Sequence, residues 1–140
     1  IESLINKRKE YISNEAVLMS AEFTDYSDLS DARNGGMYEN LMNYSALNQM
    51  RIRVVDRKYM VSLDTYAVDN GKTIISSKVI DVYESSKAVA DYNRKSGSIE
   101  AVSPVYNSEG TVIAVLVVNF DISEMLLMGF MWCCLLLSHL

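Results

Sequence analysis

The sequence contains few of the residues that most often build catalytic and metal sites. Its only histidine, His139, lies next to the C-terminus, and its only cysteines, Cys133 and Cys134, are adjacent. The body of the chain therefore has no histidine for a catalytic triad or a metal site. Adjacent cysteines form a poor disulfide and lack a second pair of zinc ligands, so we expect no disulfide framework, no metal and no cofactor.

Motifs of enzymatic catalysis are also missing. Gly35-Gly36 is not followed by the Lys-Ser/Thr pair of a phosphate-binding loop. Asp28 and Asp31 lie in a polar segment without the apolar surroundings that general acid–base catalysis requires. The signature segments of a kinase are absent. We predict that this chain is not an enzyme, and that any catalysis by a parent protein lies outside these 140 residues.

The charge balance excludes further classes of protein. The net charge is -5 and the sequence pI is about 4.8, which argues against nucleic-acid binding and provides no basic patch for anionic lipid. The length of 140 residues is enough for one domain with its own core.

The two ends of the chain suggest a piece of a longer membrane protein. The chain begins at Ile1 without a signal-peptide pattern. Residues 125–137 are uninterruptedly apolar, but this run is shorter than the roughly 20 residues of a spanning helix. It could be the start of a truncated transmembrane helix, a cloning scar, or a buried or interfacial helix. We therefore divide the chain into a domain, 1–123, and an apolar tail, 124–140.

Two predicted strands organise the domain. β-Branched and aromatic residues dominate 98–106 and 111–120 on either side of Asn107-Ser108-Glu109-Gly110, which is typical of a hairpin turn. The second strand is apolar on both faces, which predicts a central position in a sheet that is covered on both sides.

Residues 1–27 are predicted to form one long helix, about 40 Å long at 1.5 Å per residue. Its apolar residues recur in adjacent pairs about seven positions apart. Its C-terminal half fits a helix that packs on a core, whereas its N-terminal half fits equally a seam between two helices of a dimer.

The intervening segments complete the predicted order of elements. Residues 27–36 are polar and end in two glycines, which indicates a loop. Thereafter we predict a helix at 37–50, strands at 51–56 and 59–64 joined by Arg57-Lys58, a loop at 65–77, a helix at 78–86 and a strand at 87–94. This order predicts an α+β fold: a PAS-like five-stranded antiparallel sheet with the long N-terminal helix on one face and the loop plus short helix on the other.

We expect a small-molecule pocket in a hollow on the face that the middle loop covers, lined by side chains of the central strands. From strand alternation and the position of the loop, we predict that ligand-binding residues are Tyr66, Tyr83, Tyr92, Arg94, Glu100 and Ser103. The alternative is that the tyrosines are packing residues with their hydroxyls at the rim, and that Arg94 is a solvated charge at a strand end.

The segment SPVYNSEGTVIAVLVVNFD, from Ser103 to Asp121, resembles the closing hairpin of extracytoplasmic PAS-like sensor domains, the Cache or PhoQ-DcuS-CitA family. The shared pattern is Ser/Thr-Pro-aliphatic, a turn ending in glycine, and an aliphatic strand, with Ala114 where the family usually has a second glycine. With the upstream strands and first helix, the resemblance covers most of residues 1–123.

The resemblance also implies what the domain does not bind. Family members that sense citrate or C4-dicarboxylates hold the carboxylate with an arginine four residues before the proline, often with a polar residue two positions later. These positions are Glu100 and Val102 here, and a glutamate repels a carboxylate. A di- or tricarboxylate ligand is therefore not expected, and a cationic ligand, a peptide, an envelope signal or no ligand is favoured.

The function implied by the resemblance is extracytoplasmic signal sensing by a membrane-bound two-component histidine kinase. Such a domain would lie outside the cell membrane, connect to it through flanking helices and form a homodimer through its N-terminal helix. The alternatives are a ligand-free structural or dimerisation module, or the sensor domain of a chemoreceptor or cyclase.

Overall fold

The computed structural model describes residues 2–123, in which helices cover both faces of one sheet. The apolar tail predicted at 124–140 lies outside the described residues. Within residues 2–123, no helix is long and apolar enough to cross a membrane.

The long first helix is shorter than the sequence predicted. Helix α1 spans Glu2–Ala21 and continues as a 3-10 turn over Glu22–Asp25, whereas the prediction extended to residue 27. The chain leaves this turn at Tyr26, whose backbone is extended. The turn packs Phe23 into the core, where it is fully buried.

A short helix, α2 (Leu29–Asn34), replaces the loop that was predicted over residues 27–36. Asp28 Oδ1 accepts the backbone N–H of Asp31 at 2.7 Å, and Asp31 Oδ2 accepts the backbone N–H of Ser27 at 3.1 Å. These two bonds satisfy the N–H groups of Asp31 and Ser27, on either side of the first residue of the helix. The two carboxylates therefore cap a helix in a segment for which a polar loop was predicted.

Helix α3 spans Met37–Asn48 and agrees with the helix predicted at 37–50. It begins after Gly36, which has a φ of 88°, and is followed by Gln49, which has a φ of 54°. The left-handed conformation at Gly36 separates α3 from α2.

The five strands form one antiparallel sheet in the order β2-β1-β5-β4-β3. Their bounds are β1 Arg51–Asp56, β2 Val61–Asp64, β3 Val89–Asn93, β4 Ser98–Tyr106 and β5 Val112–Asp121. As predicted, β5 is the central strand, with β1 on one side and β4 on the other. The PAS-like α+β fold class is confirmed.

The turn between β1 and β2 is wider than the predicted Arg57-Lys58 connection, and β2 begins at Val61 rather than Tyr59. Asp56 Oδ1 accepts the backbone N–H groups of Lys58 and Met60, both at 2.9 Å. Tyr59 has a φ of 62°, a left-handed conformation that favours glycine.

The turn between β4 and β5 matches the prediction. Asn107 Oδ1 accepts the backbone N–H groups of Glu109 and Thr111, both at 2.9 Å. Gly110 supplies the positive φ, 78°, that closes the hairpin.

Side chains alternate between the two faces of the sheet. The helix face, against α1 and α3, carries the larger core, which includes Ile12, Phe23, Leu41, Ile52, Ile99, Leu116 and Phe120. The opposite face, here called the loop face, lies under the residues that follow β2 and under helix α4 (Ser77–Ser85). The loop face positions the candidate site.

Candidate functional site

The loop face has an apolar half that the protein fills with its own side chains. Its buried core consists entirely of valines, here called the valine cluster: Val55, Val61, Val79, Val82, Val102, Val115 and Val117. None of them is more than 4% exposed. Two come from α4, so this helix closes directly onto the central strands.

Tyr83 of α4 ties the helix to the sheet beside the valine cluster. Its hydroxyl donates to the carbonyl oxygen of Val55 at 2.8 Å, and its ring meets the edge of Tyr59 at a centroid distance of 5.7 Å. Burial raises the pKa of Tyr83, because the phenolate would lose its hydration. The residue therefore acts in packing and as a neutral hydrogen-bond donor.

The other half of the loop face is polar because of the strand register. Asn119 of β5 lies between Arg51 of β1 and Glu100 of β4, and Glu100 lies opposite Asp91 of β3. These four residues form one row across the sheet. Arg53 lies two positions from Arg51 on the same strand, so its side chain joins the same face.

Glu100 is held by side chains from three other elements. Its Oε1 lies 3.3 Å from Lys78 Nζ of α4, and its Oε2 accepts from Asn119 Nδ2 of β5 at 2.9 Å. Arg53 Nη2 of β1 lies 3.8 Å from the same Oε2. We call Arg53, Lys78 and Asn119 the Glu100 cradle.

The cradle residues are themselves positioned by neighbours. Arg53 Nη2 donates to Asn119 Oδ1 at 2.7 Å, and Arg53 Nη1 lies 3.6 Å from Asp69 Oδ2. Lys78 Nζ lies 2.5 Å from Asp91 Oδ2. Burial lowers the pKa of Arg53, and the neighbouring Arg51 charge acts in the same direction.

The pKa of Lys78 is raised, whereas that of Arg53 is lowered. Partial burial of the Lys78 ammonium would lower its pKa, but hydrogen bonds to the carboxylates of Asp91 and Glu100 outweigh this effect and the net effect is a raised pKa. Lys78 is therefore a protonated, positively charged side chain beside Glu100.

Asp64, at the end of β2, is the most buried charge of this region, with 1% exposure. It accepts from Arg51 Nε at 3.0 Å and Arg51 Nη2 at 2.6 Å, and from the backbone N–H groups of Tyr66, Val68 and Asp69. Burial alone would raise its pKa, but these donors hold the pKa of Asp64 well below its usual range. Asp64 therefore organises the start of the loop that covers the sheet.

The six predicted ligand-binding residues do not meet in one hollow. Tyr83 and Glu100 lie on the loop face, at its apolar and polar halves. Tyr66 follows β2 and is 53% exposed. Whether any of these residues binds a ligand stays a prediction.

The other three predicted residues lie on the opposite face, so their placement beneath the loop was wrong. Tyr92 packs against the helix-face core, and Ser103 pairs with Leu116, which belongs to that core. Arg94 Nη2 lies 3.5 Å from Glu2 Oε1 of α1. For Tyr92 and Arg94 the error came from the register, since Tyr92 is opposite Ile99 and not Glu100. Ser103 lies three positions from Glu100 on β4, so these two side chains point to opposite faces.

Two surface hollows adjoin these three residues on the α1 side. One, of about 480 Å³, is lined by Glu2, Ile5, Asn6, Tyr92 and Arg94. The other, of about 320 Å³, lies among Val17, Ser20, Ser103 and Tyr106, with other small residues. Both are open to solvent at the margin of α1 and are separate from the Glu100 cradle.

Sequence reasoning missed most of the polar site. No role was predicted for Arg51, Arg53, Asp64 or Lys78, and Asn119 was placed in a strand described as apolar. One signal was available: Arg51 and Arg53 alternate with Ile52 and Val54 on a strand next to the centre of the sheet. Alternating arginines on a covered strand require acidic partners. Among residues 2–123, no group of three or more histidine, cysteine or acidic side chains is arranged to hold a metal ion.

Solved structures with a similar fold include a sensor domain and an extracellular ligand-binding receptor. The sensor domain of Escherichia coli DcuS matches with a TM-score of 0.64 and 14% identity, over 83% of this chain and 92% of that one. An extracellular ligand-binding receptor from Desulfohalobium retbaense matches with a TM-score of 0.60 and 18% identity, over 82% of this chain. That match spans only 23% of the receptor.

A sensory-box histidine kinase structure from Vibrio cholerae is more distant, with a TM-score of 0.46 and 13% identity over 64% of this chain and 97% of that one. No protein-family model matches the sequence, and no curated protein matches it significantly. The first two structures show that the chain has the PAS-like fold of these sensor domains, as the sequence resemblance predicted.

Proposed function

We propose that residues 2–123 are the extracytoplasmic signal-sensing domain of a membrane-bound histidine kinase. The observation that carries the proposal is the fold shared with nearly the whole DcuS sensor domain. The charged network on the loop face supports it, because this network joins the covering helix to the strand from which the chain leaves the domain. A chemoreceptor or a cyclase could carry the same domain.

The two ends of the described chain are close to the same turn. The turn between β3 and β4 contacts the start of α1 through Arg94 and Glu2, at 3.5 Å. The same turn contacts the end of β5, where the backbone N–H of Ile122 donates to the carbonyl oxygen of Gly97 at 2.7 Å. In the proposed receptor, both connections to the membrane would therefore leave from one end of the domain.

This arrangement suggests how a signal could travel. Lys78 of α4 binds Glu100, which binds Asn119 of β5 two residues before the strand ends at Asp121. A displacement of α4 would thus reach the exit of β5 through side-chain contacts. Two arrangements of this network that differ in how β5 lies against α1 would suffice for signalling.

The proposed homodimer uses the outer side of α1. Leu4, Tyr11 and Leu18 are spaced seven residues apart and are 51%, 40% and 63% exposed. A seven-residue apolar repeat is the pattern of a seam between two helices. We propose a second copy of α1 as the partner of this seam.

Accessibility in intact cells tests the proposed location. The described residues contain no cysteine, so once Cys133 and Cys134 are replaced by serine, a cysteine at exposed Leu47 is the one thiol left in this sequence. In the full-length protein, a membrane-impermeant maleimide is expected to label Leu47→Cys in unbroken cells, with the unsubstituted protein as the control. Labelling only after lysis would contradict an extracytoplasmic domain.

A ligand-free structural or dimerisation module is the second candidate, because the protein fills the loop face with its own valines and paired charges. Native mass spectrometry with a thermal-shift screen of small molecules and peptides separates the two candidates. A melting temperature raised by one compound supports ligand sensing. A dimer that responds to none supports the module.

A further inference from the structure

The contacts of Glu100 have the chemistry of a bound carboxylate. Lys78 approaches one carboxylate oxygen, and Asn119 and Arg53 approach the other. An ammonium, an amide N–H and a guanidinium are the groups with which proteins hold the carboxylate of a small molecule. They come from α4, β5 and β1, so the fold brings them together at one point.

The amide of Asn119 is oriented for this purpose. Its Oδ1 accepts from Arg53 Nη2 at 2.7 Å, which leaves its Nδ2 to donate to Glu100 Oε2 at 2.9 Å. The cradle is also only partly covered, since the side chains of Arg53, Lys78 and Glu100 are 12%, 34% and 29% exposed. Solvent therefore reaches the carboxylate without unfolding of the domain.

We propose that Glu100 is a built-in carboxylate ligand, and that Arg53, Lys78 and Asn119 form a carboxylate-binding site that Glu100 keeps occupied. Removal of the Glu100 carboxylate opens a site for a small free monocarboxylate. The native domain does not take such ligands at this point. Binding of a carboxylate at this site requires only the domain itself. A regulatory role, in which Glu100 holds the sensor in a ligand-like state, rests on the proposed function.

Acetate is the matched probe. Substitution Glu100→Ala removes a CH2–COO⁻ group, and acetate has the same carboxylate with one carbon attached. The experiment compares melting temperatures of the purified chain, wild type and variant, in sodium acetate and in sodium chloride at equal ionic strength. Glu100→Gln is the control, because its amide fills the same space without a charge.

The expected result is selective rescue. At acetate concentrations about ten times the dissociation constant, the melting temperature of Glu100→Ala should rise by about 5 °C over the chloride value. Wild type and Glu100→Gln should show no difference between the two salts. A second substitution, Asn119→Ala in the Glu100→Ala background, should remove the acetate effect.

With a folded variant, either of two results would overturn the proposal. One is a Glu100→Ala protein whose melting temperature is the same in acetate and chloride; the other is a wild-type protein stabilised by acetate as strongly as the variant. If Glu100→Ala is unfolded in chloride, acetate must restore its native circular dichroism spectrum, and failure to do so also overturns the proposal. None of these results depends on signalling, so cell-surface labelling at Leu47→Cys tests the proposed function separately.

Discussion

Arg51 and Asp64 form a two-pronged ion pair between β1 and β2, with Nε and Nη2 of the guanidinium 3.0 and 2.6 Å from the two carboxylate oxygens. The pair lies where β2 ends and the covering loop begins. Asp64 also accepts three backbone N–H groups of that loop, so one carboxylate fixes both the strand pair and the course of the chain over the sheet.

Substitution Asp64→Asn should strongly destabilise the domain. It leaves Arg51 without its closest countercharge and replaces one acceptor oxygen by a donor that faces N–H groups. Breaking a buried ion pair from one side costs about 3–5 kcal/mol. Urea unfolding followed by circular dichroism measures this loss.

The matched control is Glu2→Gln, at the exposed pair with Arg94, where we expect a change below about 1 kcal/mol. Equal effects of the two substitutions would contradict the central role of Asp64.

Acid should destabilise the domain through the same residue. Because the folded-state pKa of Asp64 is depressed, its contribution to stability is complete above the unfolded-state pKa of about 3.9. It is lost progressively as the pH falls below that value towards the lower folded-state pKa. The free energy of unfolding, measured in urea between pH 7 and pH 2.5, should therefore decline at the acid end.

The variant Asp64→Asn tells whether this residue causes the decline. Its free energy of unfolding should start lower at pH 7 and fall less between pH 4 and pH 2.5 than that of the wild type. Parallel curves for the two proteins would assign the acid sensitivity to other carboxylates.

Ser86 offers a stabilising substitution. It follows the last turn of α4 with a φ of 58°, a left-handed conformation that costs a non-glycine residue about 1 kcal/mol. Ser86→Gly should raise the free energy of unfolding by roughly 0.5–1 kcal/mol. At the preceding residue, Ser85→Gly should lower it by a similar amount, because that position is helical. Thermal unfolding of both variants measures the expected gain and the expected loss of stability.

The dimer seam is tested by adding a charge to it. Leu18→Glu should weaken dimerisation at least tenfold, since a desolvated carboxylate would face its copy across the two helices. Leu47→Glu is the control, because Leu47 is also an exposed leucine but lies on α3. Sedimentation equilibrium measures the dimer dissociation constant of both variants. A wild-type chain that is monomeric at high concentration would contradict the proposed dimer seam.

The sequence predicted the sheet well because its signals are local. The largely apolar strand predicted at 111–120 and the turn closed by Gly110 each follow from residues that are neighbours in the chain. The polar site could not be predicted in the same way. Arg53 and Asn119 are 66 positions apart, and their contact depends on the pairing of β1 with β5.

The misplaced site residues illustrate the same limit. A strand of five residues with partly polar character, such as β3, gives no clear inward face, and an error of one position moves every side chain to the other side. Tyr92 and Arg94 were assigned to the wrong face in this way. Glu100 was assigned to the correct face, but Ser103 was not, because the two residues lie three positions apart on β4 and their side chains point to opposite faces.

The uniform composition of the valine cluster limits how the loop face can change shape. A valine side chain has one rotatable bond, and branching at Cβ leaves that bond few allowed settings. Leucine or methionine could swing aside to admit a guest, but seven valines can yield space only if their backbones separate. Any expansion of this layer would therefore require α4 to lift away from the strands as a unit, with Tyr83 releasing the carbonyl of Val55.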